Sequence, residues 1–244
     1  MDSFPILYRD EHYIAIHKPA GLLVHRSYIS EDKRFLLQLL RNQIGQWVYP
    51  IHRLDRPTSG VIIFGLSSDA ARQLVAEFEL RRVVKKYIAV VRGYADEEGV
   101  IDYPLLEEEG KERQEAVTHY RRLATVELPI AVGRYPQSRY SLIELEPQTG
   151  RMHQIRKHMK HIFHPIVGDT THGDGKHNQM FRDHFNSHRL LLMAAALQFR
   201  HPFSGELMQI ETAPDPALQA LFGKIGWEEW CDYRAFSREE AGVD

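Results

Sequence analysis

The chain carries a single cysteine, Cys231, in 244 residues. One thiol excludes an intrachain disulfide framework and any cysteine-based zinc site, and it fits a reducing, cytoplasmic setting. Long hydrophobic runs are also missing. The longest, Leu190 to Phe199, is interrupted by Gln198 and is too short to span a bilayer, and Met1 to Pro5 lack the basic-then-apolar order of a secretion signal. A soluble, unsecreted protein is expected. There is no excess of positive charge either: 31 Lys plus Arg against 33 Asp plus Glu leave a formal charge of -2. A nucleic-acid partner would therefore have to be met by a local basic face. Two groups could form one, Arg81, Arg82, Lys85 and Lys86, and Arg151, Arg156, Lys157 and Lys160 with His153, His158 and His161. Acid collects at Glu107 to Glu109 and at Glu239, Glu240 and Asp244.

What the chain does have is enough apolar content, 43%, for a substantial core. Runs rich in β-branched and aromatic residues, His12 to Ile16, Val61 to Phe64, Tyr87 to Val91, Val117 to Arg122 and Tyr140 to Leu145, predict strands bounded by turn residues. Leu36, Leu37, Leu40 and Ile44 recur at helical spacing before Gly45. A Ser start at Ser68 precedes Ala71, Leu74, Val75 and Phe78, so both stretches predict amphipathic helices. No repeat, low-complexity tract or linker divides the chain, and the two kinds of element are interleaved. This predicts one α+β domain over 1–244 with a large mixed, mostly antiparallel sheet, a core over about 6–210 and a C-terminal extension over 211–244. Thr171 to Ser187, rich in His, Asp, Gly and Asn, reads as a loop that could cover a substrate.

The string His52-Arg53-Leu54-Asp55-Arg56-Pro57-Thr58-Ser59-Gly60 sets one carboxylate between two guanidinium groups, in a turn before the apolar run Val61-Ile62-Ile63-Phe64. Neighbouring cations favour the charged form of a carboxylate, and a charged carboxylate can act as nucleophile or base. An ordinary strand-entry turn can have the same composition, with Asp bonding its own backbone and Pro and Gly setting the dihedrals.

Four segments in order decide between these readings. Lys18-Pro19-Ala20-Gly21, HRLDRPTSG at 52–60, Lys86-Tyr87-Ile88-Ala89 and Thr149-Gly150-Arg151-Met152-His153-Gln154-Ile155-Arg156 together resemble the RluA family of pseudouridine synthases. The resemblance runs from about Ile6 to Ile210. Leu23-Val24-His25-Arg26-Ser27, Ala116-Val117-Thr118-His119-Tyr120 and the Gly133-Arg134-Tyr135-Pro136 insertion are similar to members that act on tRNA. Met193 departs from the pattern, since many members have His there. The resemblance implies a catalytic fold without the small N-terminal RNA-binding domain of many relatives, because the first strand begins within a few residues of Met1.

Pseudouridine formation breaks the bond between a uracil nitrogen and the anomeric carbon, rotates the base and rejoins it through carbon 5. There is no net redox change or hydrolysis, so no cofactor is chemically required. The reaction needs a carboxylate facing the sugar, a hold on the detached uracil and a base for the carbon-5 proton. Resemblance implies Asp55 as the carboxylate, Tyr87 as the ring stacked on the uracil, and Arg156 as the cation paired with Asp55. It also implies Arg53 as the group that stabilises the flipped-out nucleotide, with His52, Arg151 and His153 among the RNA contacts. Lys18 falls in a motif that builds the floor of the site. The implied substrate is tRNA at uridine 65, and a monomer without an obligate protein partner is expected. Three alternatives belong beside this reading: a ribosomal RNA target, an RNA-binding module without catalysis, and a metal hydrolase suggested by His158, His161 and His164 among 14 histidines. The last lacks HExxH, and Pro165 limits the helix that would display all three.

Overall fold

The structure, a computed structural model, describes residues 3–25, 34–106, 110 and 112–236. Arg26, Ser27, Glu107 to Glu109, Glu239, Glu240 and Asp244 lie outside them. In chain order the elements are β1 (Ile6–Arg9), β2 (Tyr13–Lys18), α1 (Leu36–Ile44), β3 (Tyr49–Pro50), β4 (Ser59–Gly65), α2 (Ser68–Glu79), β5 (Val84–Arg92) and β6 (Glu98–Asp102). They continue with β7 (Val117–Leu128), β8 (Ser138–Pro147), α3 (Gln154–His161), α4 (Gly175–Phe185), β9 (Leu192–Arg200), β10 (Leu207–Glu211), α5 (Pro216–Lys224) and a 3₁₀ turn at Glu228–Trp230. The α+β architecture expected from the sequence, mostly antiparallel strands flanked by five α-helices, is observed among the described residues.

Two compact units divide these elements, 1–84 with 194–212 and 234–244, and 85–193 with 213–233. The chain thus passes from one unit to the other four times. In the first unit β2 pairs antiparallel with β1 and β4, β3 pairs with β4, and β10 pairs with β9. Its core joins Tyr13, Ala15, Val61 and Ile63 from the strands to Ala70, Ala71 and Leu74 of α2 and to Leu197 and Phe199 of β9. All seven residues of β4 are buried, which is why Val61-Ile62-Ile63-Phe64 reads as a continuous apolar run and not as an alternation.

Helix α1 buries Leu36 and Leu40, one turn apart, and stops where Gly45 adopts φ +66° and its amide donates to the Arg41 carbonyl. Helix α2 is capped by Ser67, whose hydroxyl accepts from the Ala70 amide at 3.1 Å. The start of α2 is thus one residue earlier in its cap than Ser68 suggested, a shift the Ser-Ser pair makes invisible in sequence.

The second unit holds the antiparallel order β5-β8-β7-β6. Ala89 and Val91 of β5, Ile143 and Leu145 of β8, and Ile155 and Met159 of α3 meet in its core, and Tyr87 packs on that cluster's edge. Burial continues beyond Ile210, through Leu218, Leu221, Phe222, Trp227 and Tyr233. The loop expected over Thr171 to Ser187 is largely helix α4. Asp174 caps it by accepting from the Lys176 and His177 amides, and Asn178, Met180 and Phe181 are buried. The buried stripe mixes polar Asn178 with Met180 and Phe181, and most of the other His, Asp and Asn residues lie at caps or on the outer side of a short helix, so the periodic signal is weak. No helix among the described residues is long and apolar enough to cross a membrane.

Candidate active site

The turn that carries Asp55 is built from the motif's own backbone. The Thr58 amide donates to the Asp55 carbonyl at 3.1 Å, closing the chain over Arg56 and Pro57. Leu54 and Thr58 on either side are buried, Asp55 is half-buried, and Arg53 and Arg56 are exposed. The turn is then fixed to the Lys18-Pro19-Ala20-Gly21 segment by three bonds. The Gly21 amide donates to the Arg56 carbonyl (2.8 Å), Arg56 Nε donates to the Gly21 carbonyl (3.0 Å), and Lys18 Nζ donates to the Arg56 carbonyl (3.1 Å).

Lys18 is fully buried and also donates to the Pro19 and Leu22 carbonyls at 2.9 and 2.8 Å. Three carbonyl dipoles compensate an ammonium that burial would otherwise penalise heavily. The geometry gives Lys18 the floor-building part expected of its motif. Gly21 sits at φ +84°, a backbone region open to glycine at no steric cost.

Gly60 shows why this motif ends in glycine. Its φ is +109°, and a Cβ there would lie 2.0 Å from the Ala194 carbonyl oxygen. Only glycine lets the strand entering from the Asp55 turn approach β9 so closely. His52 has a scaffolding part that sequence reasoning did not assign: Nε2 accepts from the Ile63 amide at 3.2 Å, and the ring stacks on Phe78 with centroids 4.9 Å apart.

In the second unit, Tyr87 is half-buried on β5 opposite Leu145 of β8. The segment 149–156 then positions α3. Thr149 Oγ1 accepts from the Val117 amide (3.1 Å) and donates to Gln154 Oε1 (2.7 Å), while Gln154 Nε2 donates to the Val117 carbonyl and to Thr118 Oγ1. His158, one turn later and fully buried, bonds the same Thr118 hydroxyl at 2.9 Å and the Tyr103 carbonyl at 3.0 Å. Burial lowers the His158 pKa below its ordinary value, against the pull of the Tyr103 carbonyl.

Residue 156 lies two positions from both Gln154 and His158 and so projects from the other side of α3. There Arg156 makes a bidentate pair with Asp169, Nε to Oδ2 at 2.6 Å and Nη2 to Oδ1 at 2.8 Å. The two side chains are 5% and 1% exposed. The Thr171 and His172 amides also donate to Asp169 Oδ1, each at 2.9 Å. Burial pushes the Asp169 carboxyl up, but these bonds and the Arg156 charge outweigh it and hold the pKa below the usual carboxylate value. Asp169 is thus a partner of Arg156 that the sequence reading did not name. Its only local signal is a Gly-Asp-Thr-Thr-His-Gly string at 168–173, which reads as an ordinary turn.

His153 stands at φ +56° just before α3, and its Nδ1 lies 3.1 Å from His172 Nε2. One proton must sit between the rings, so both cannot be fully protonated. Burial first, then Arg156 and His153, lower the His172 pKa, opposing Asp169. Arg151 Nε donates to the Glu115 carbonyl at 3.1 Å.

Neither basic group forms the continuous face its charges suggested. Lys86 is buried 4.0 Å from Glu144, which also takes Arg121 and the Tyr233 hydroxyl, while Lys85 donates to the Thr149 carbonyl and Arg82 pairs with Glu77. In the second group Arg156 and His158 are interior, and Lys157 donates to the Leu106 carbonyl. These long side chains serve the fold because a strand or helix entering the core takes alternate residues inward with it. His161 stacks on Tyr103 at 3.6 Å and His164 Nδ1 bonds the Arg92 carbonyl, so the run His158, His161, His164 points to three different neighbours. Met193 is fully buried in β9.

With this geometry in place, the comparisons are direct. Residues 12–161 match the family model described as RNA pseudouridylate synthase. The chain is 51% identical over 235 residues to tRNA pseudouridine synthase C of Vibrio parahaemolyticus, covering 92% of this chain and 96% of the relative. It is 45% identical over 252 residues to the protein of that name from Salmonella typhi, covering 96% and 97%. Among solved structures, human RNA pseudouridylate synthase domain containing 1 matches with a TM-score of 0.73 at 24% identity over 98% of this chain and 94% of that one. Human RNA pseudouridylate synthase domain containing 4 matches with a TM-score of 0.66 at 26% identity, over 89% and 91%. The match from His12 to His161 takes in Asp55 and its turn, Tyr87 and Arg156, and this chain belongs to the RNA pseudouridylate synthase family.

Proposed function

We propose that this enzyme isomerises a uridine of tRNA to pseudouridine, at uridine 65, with Asp55 as the reacting carboxylate. The observation that carries this reading is the near-full-length identity, about half of all positions, to relatives named for tRNA pseudouridine synthesis. The construction of the Asp55 turn supports it. Three bonds to the Lys18–Gly21 segment and a glycine pressed on Ala194 hold the backbone of that turn in place, and a fixed turn of this kind suits a reacting group. Arg53, exposed next to it, is assigned to the flipped-out strand. Tyr87 is assigned to the uracil ring, and Arg156, with its plane fixed by Asp169, to charge compensation of Asp55. Arg151 and His153 are assigned to RNA, and His52 to the scaffold first. The four passages of the chain between its two units support treating 1–244 as one catalytic domain. The proposal places the protein in the cytoplasm as a monomer, where its substrate is.

The test incubates purified protein with unmodified tRNA transcripts, without added metal or cofactor, and maps pseudouridine by carbodiimide labelling and primer extension. Wild type is expected to give a new stop one nucleotide before uridine 65. Asp55→Ala is expected to lose the stop and keep RNA affinity within about threefold, with turnover down by at least about 10³-fold. A stop only at other positions, or only in ribosomal RNA, would refute the target. Full turnover by Asp55→Ala would refute the assignment of the carboxylate.

A further inference from the structure

A cavity of about 350 Å³ opens in the first unit beside the Asp55 turn. Phe4, Pro19, Leu22 and Leu23 give it an apolar wall, and Arg34 and Arg56, both exposed, supply two guanidinium groups. The wall is the segment already tied to the turn: Lys18 and Gly21 bond the carbonyl of Arg56, the residue that follows Asp55. Helix α1 starts against the same segment, its Leu36 amide donating to the Leu23 carbonyl at 2.8 Å. Among the described residues, no acidic residue stands in the first turn of α1.

We propose that this cavity is a subsite for a nucleotide of the RNA strand that flanks the target uridine, with its phosphate on Arg34 and Arg56 and its ribose and base on the apolar wall. The inference rests on the assignment of Asp55 above. Arg56 follows Asp55 directly, with Cα atoms about 3.8 Å apart, so the nucleotides adjoining a uridine at Asp55 come within reach of a side chain as long as that of Arg56. The volume matches the lower range of small-molecule sites. A free phosphate would leave most of it empty, since it has room for about a dozen waters. Paired guanidinium groups suit a phosphodiester, and an apolar wall suits an unstacked base.

The experiment uses full-length protein, wild type and Arg34→Gln, and three tRNA substrates: unmodified, and with the phosphate on the 5′ or the 3′ side of the target uridine replaced by a neutral methylphosphonate. Arg34 is exposed and lies outside the family motifs, so the variant folds; a thermal melt checks this. Arg34→Gln is expected to lower kcat/KM for unmodified tRNA about tenfold, with the loss in KM. Removing one phosphate contact is also expected to make the fall in affinity between 50 and 200 mM salt about threefold shallower. One neutralised phosphate is expected to weaken wild type about tenfold and Arg34→Gln clearly less, by the remaining Arg56 contact alone. Equal affinity and equal salt dependence in the two proteins would overturn the proposal. So would a loss confined to kcat at saturating RNA, which would put the cavity in the reaction centre. If wild type forms no pseudouridine in any RNA, the functional reading fails, and that result is distinct from an active wild type matched by Arg34→Gln.

Discussion

Asp169→Asn is the sharpest perturbation of the second unit. The substitution keeps size and shape, and its oxygen can still accept from the Thr171 and His172 amides, but it removes the negative charge facing Arg156 and turns an NH₂ toward a guanidinium. Both side chains of the native pair are at least 95% buried, so the remaining charge has little water to turn to. Breaking a buried pair in this way costs about 3 to 5 kcal/mol, a large share of the roughly 5 to 15 kcal/mol that stabilise a domain. For a chain of this size each kcal/mol moves Tm by about 2 to 4 °C, so a fall on the order of 6 to 20 °C is expected by calorimetry. Replacing both residues, Asp169→Asn with Arg156→Met, in an Asp55→Ala background so that the carboxylate assigned to Arg156 is not uncovered, removes both members of the pair and is expected to recover at least about 2 kcal/mol relative to the sum of the single changes in that background. The pH dependence has a definite sign. The folded carboxyl of Asp169 is held below its ordinary value of 3.8, so its stabilisation is complete above that value and is lost as pH falls through the folded value. The gap between wild type and Asp169→Asn is therefore expected to stay constant from neutral pH to about pH 5 and to close only in stronger acid. A Tm within 2 °C of wild type, or strictly additive single and double variants, would refute the argument.

Lys18→Met should take the Lys18 donor from the Pro19 and Leu22 carbonyls, each worth about 1 to 3 kcal/mol when buried and unpaired, while the Arg56 carbonyl keeps the Gly21 amide; urea melts should show a loss of about 2 kcal/mol or more, together with slower turnover as the Asp55 turn loosens. Gly60→Ala puts a Cβ into the Ala194 carbonyl at a left-handed φ, and a cost on the order of 3 kcal/mol or more should appear as a depressed Tm or a failure to accumulate folded protein. His158 has a folded pKa below its ordinary value of 6.5, so it destabilises the fold as pH drops below about 6.5 and the unfolded chain takes up the proton. Melts between pH 7 and 5 should fall in wild type, and the part of that slope due to this ring should vanish in His158→Gln.

The motif that carries Asp55 and the apolar residues that repeat were legible in the sequence, and the residues that hold them were not. The period of Leu36, Leu40 and Ile44 and the glycine after them give α1 to the residue, because both the stripe and its stop are local. Asp55 and its turn stand out for the same reason: Thr58 closes on Asp55 three positions away. Lys18 and Arg56 are 38 positions apart, Arg156 and Asp169 are 13 apart, and Gln154 and Val117 are 37 apart; no spacing rule connects such pairs. Charge counting failed for a related reason. Lys86, Arg156 and His158 look like surface cations in a string, yet burial with Glu144, Asp169 and Thr118 makes each an interior group. Whether a cation in a motif faces RNA or the core depends on the partner opposite it, and that partner is chosen by the fold. The single-thiol, near-neutral composition therefore says less about RNA binding than the placement of a few arginines does. Arg34 and Arg56, which stand in neither of the two basic groups, are the pair that the structure brings to one cavity.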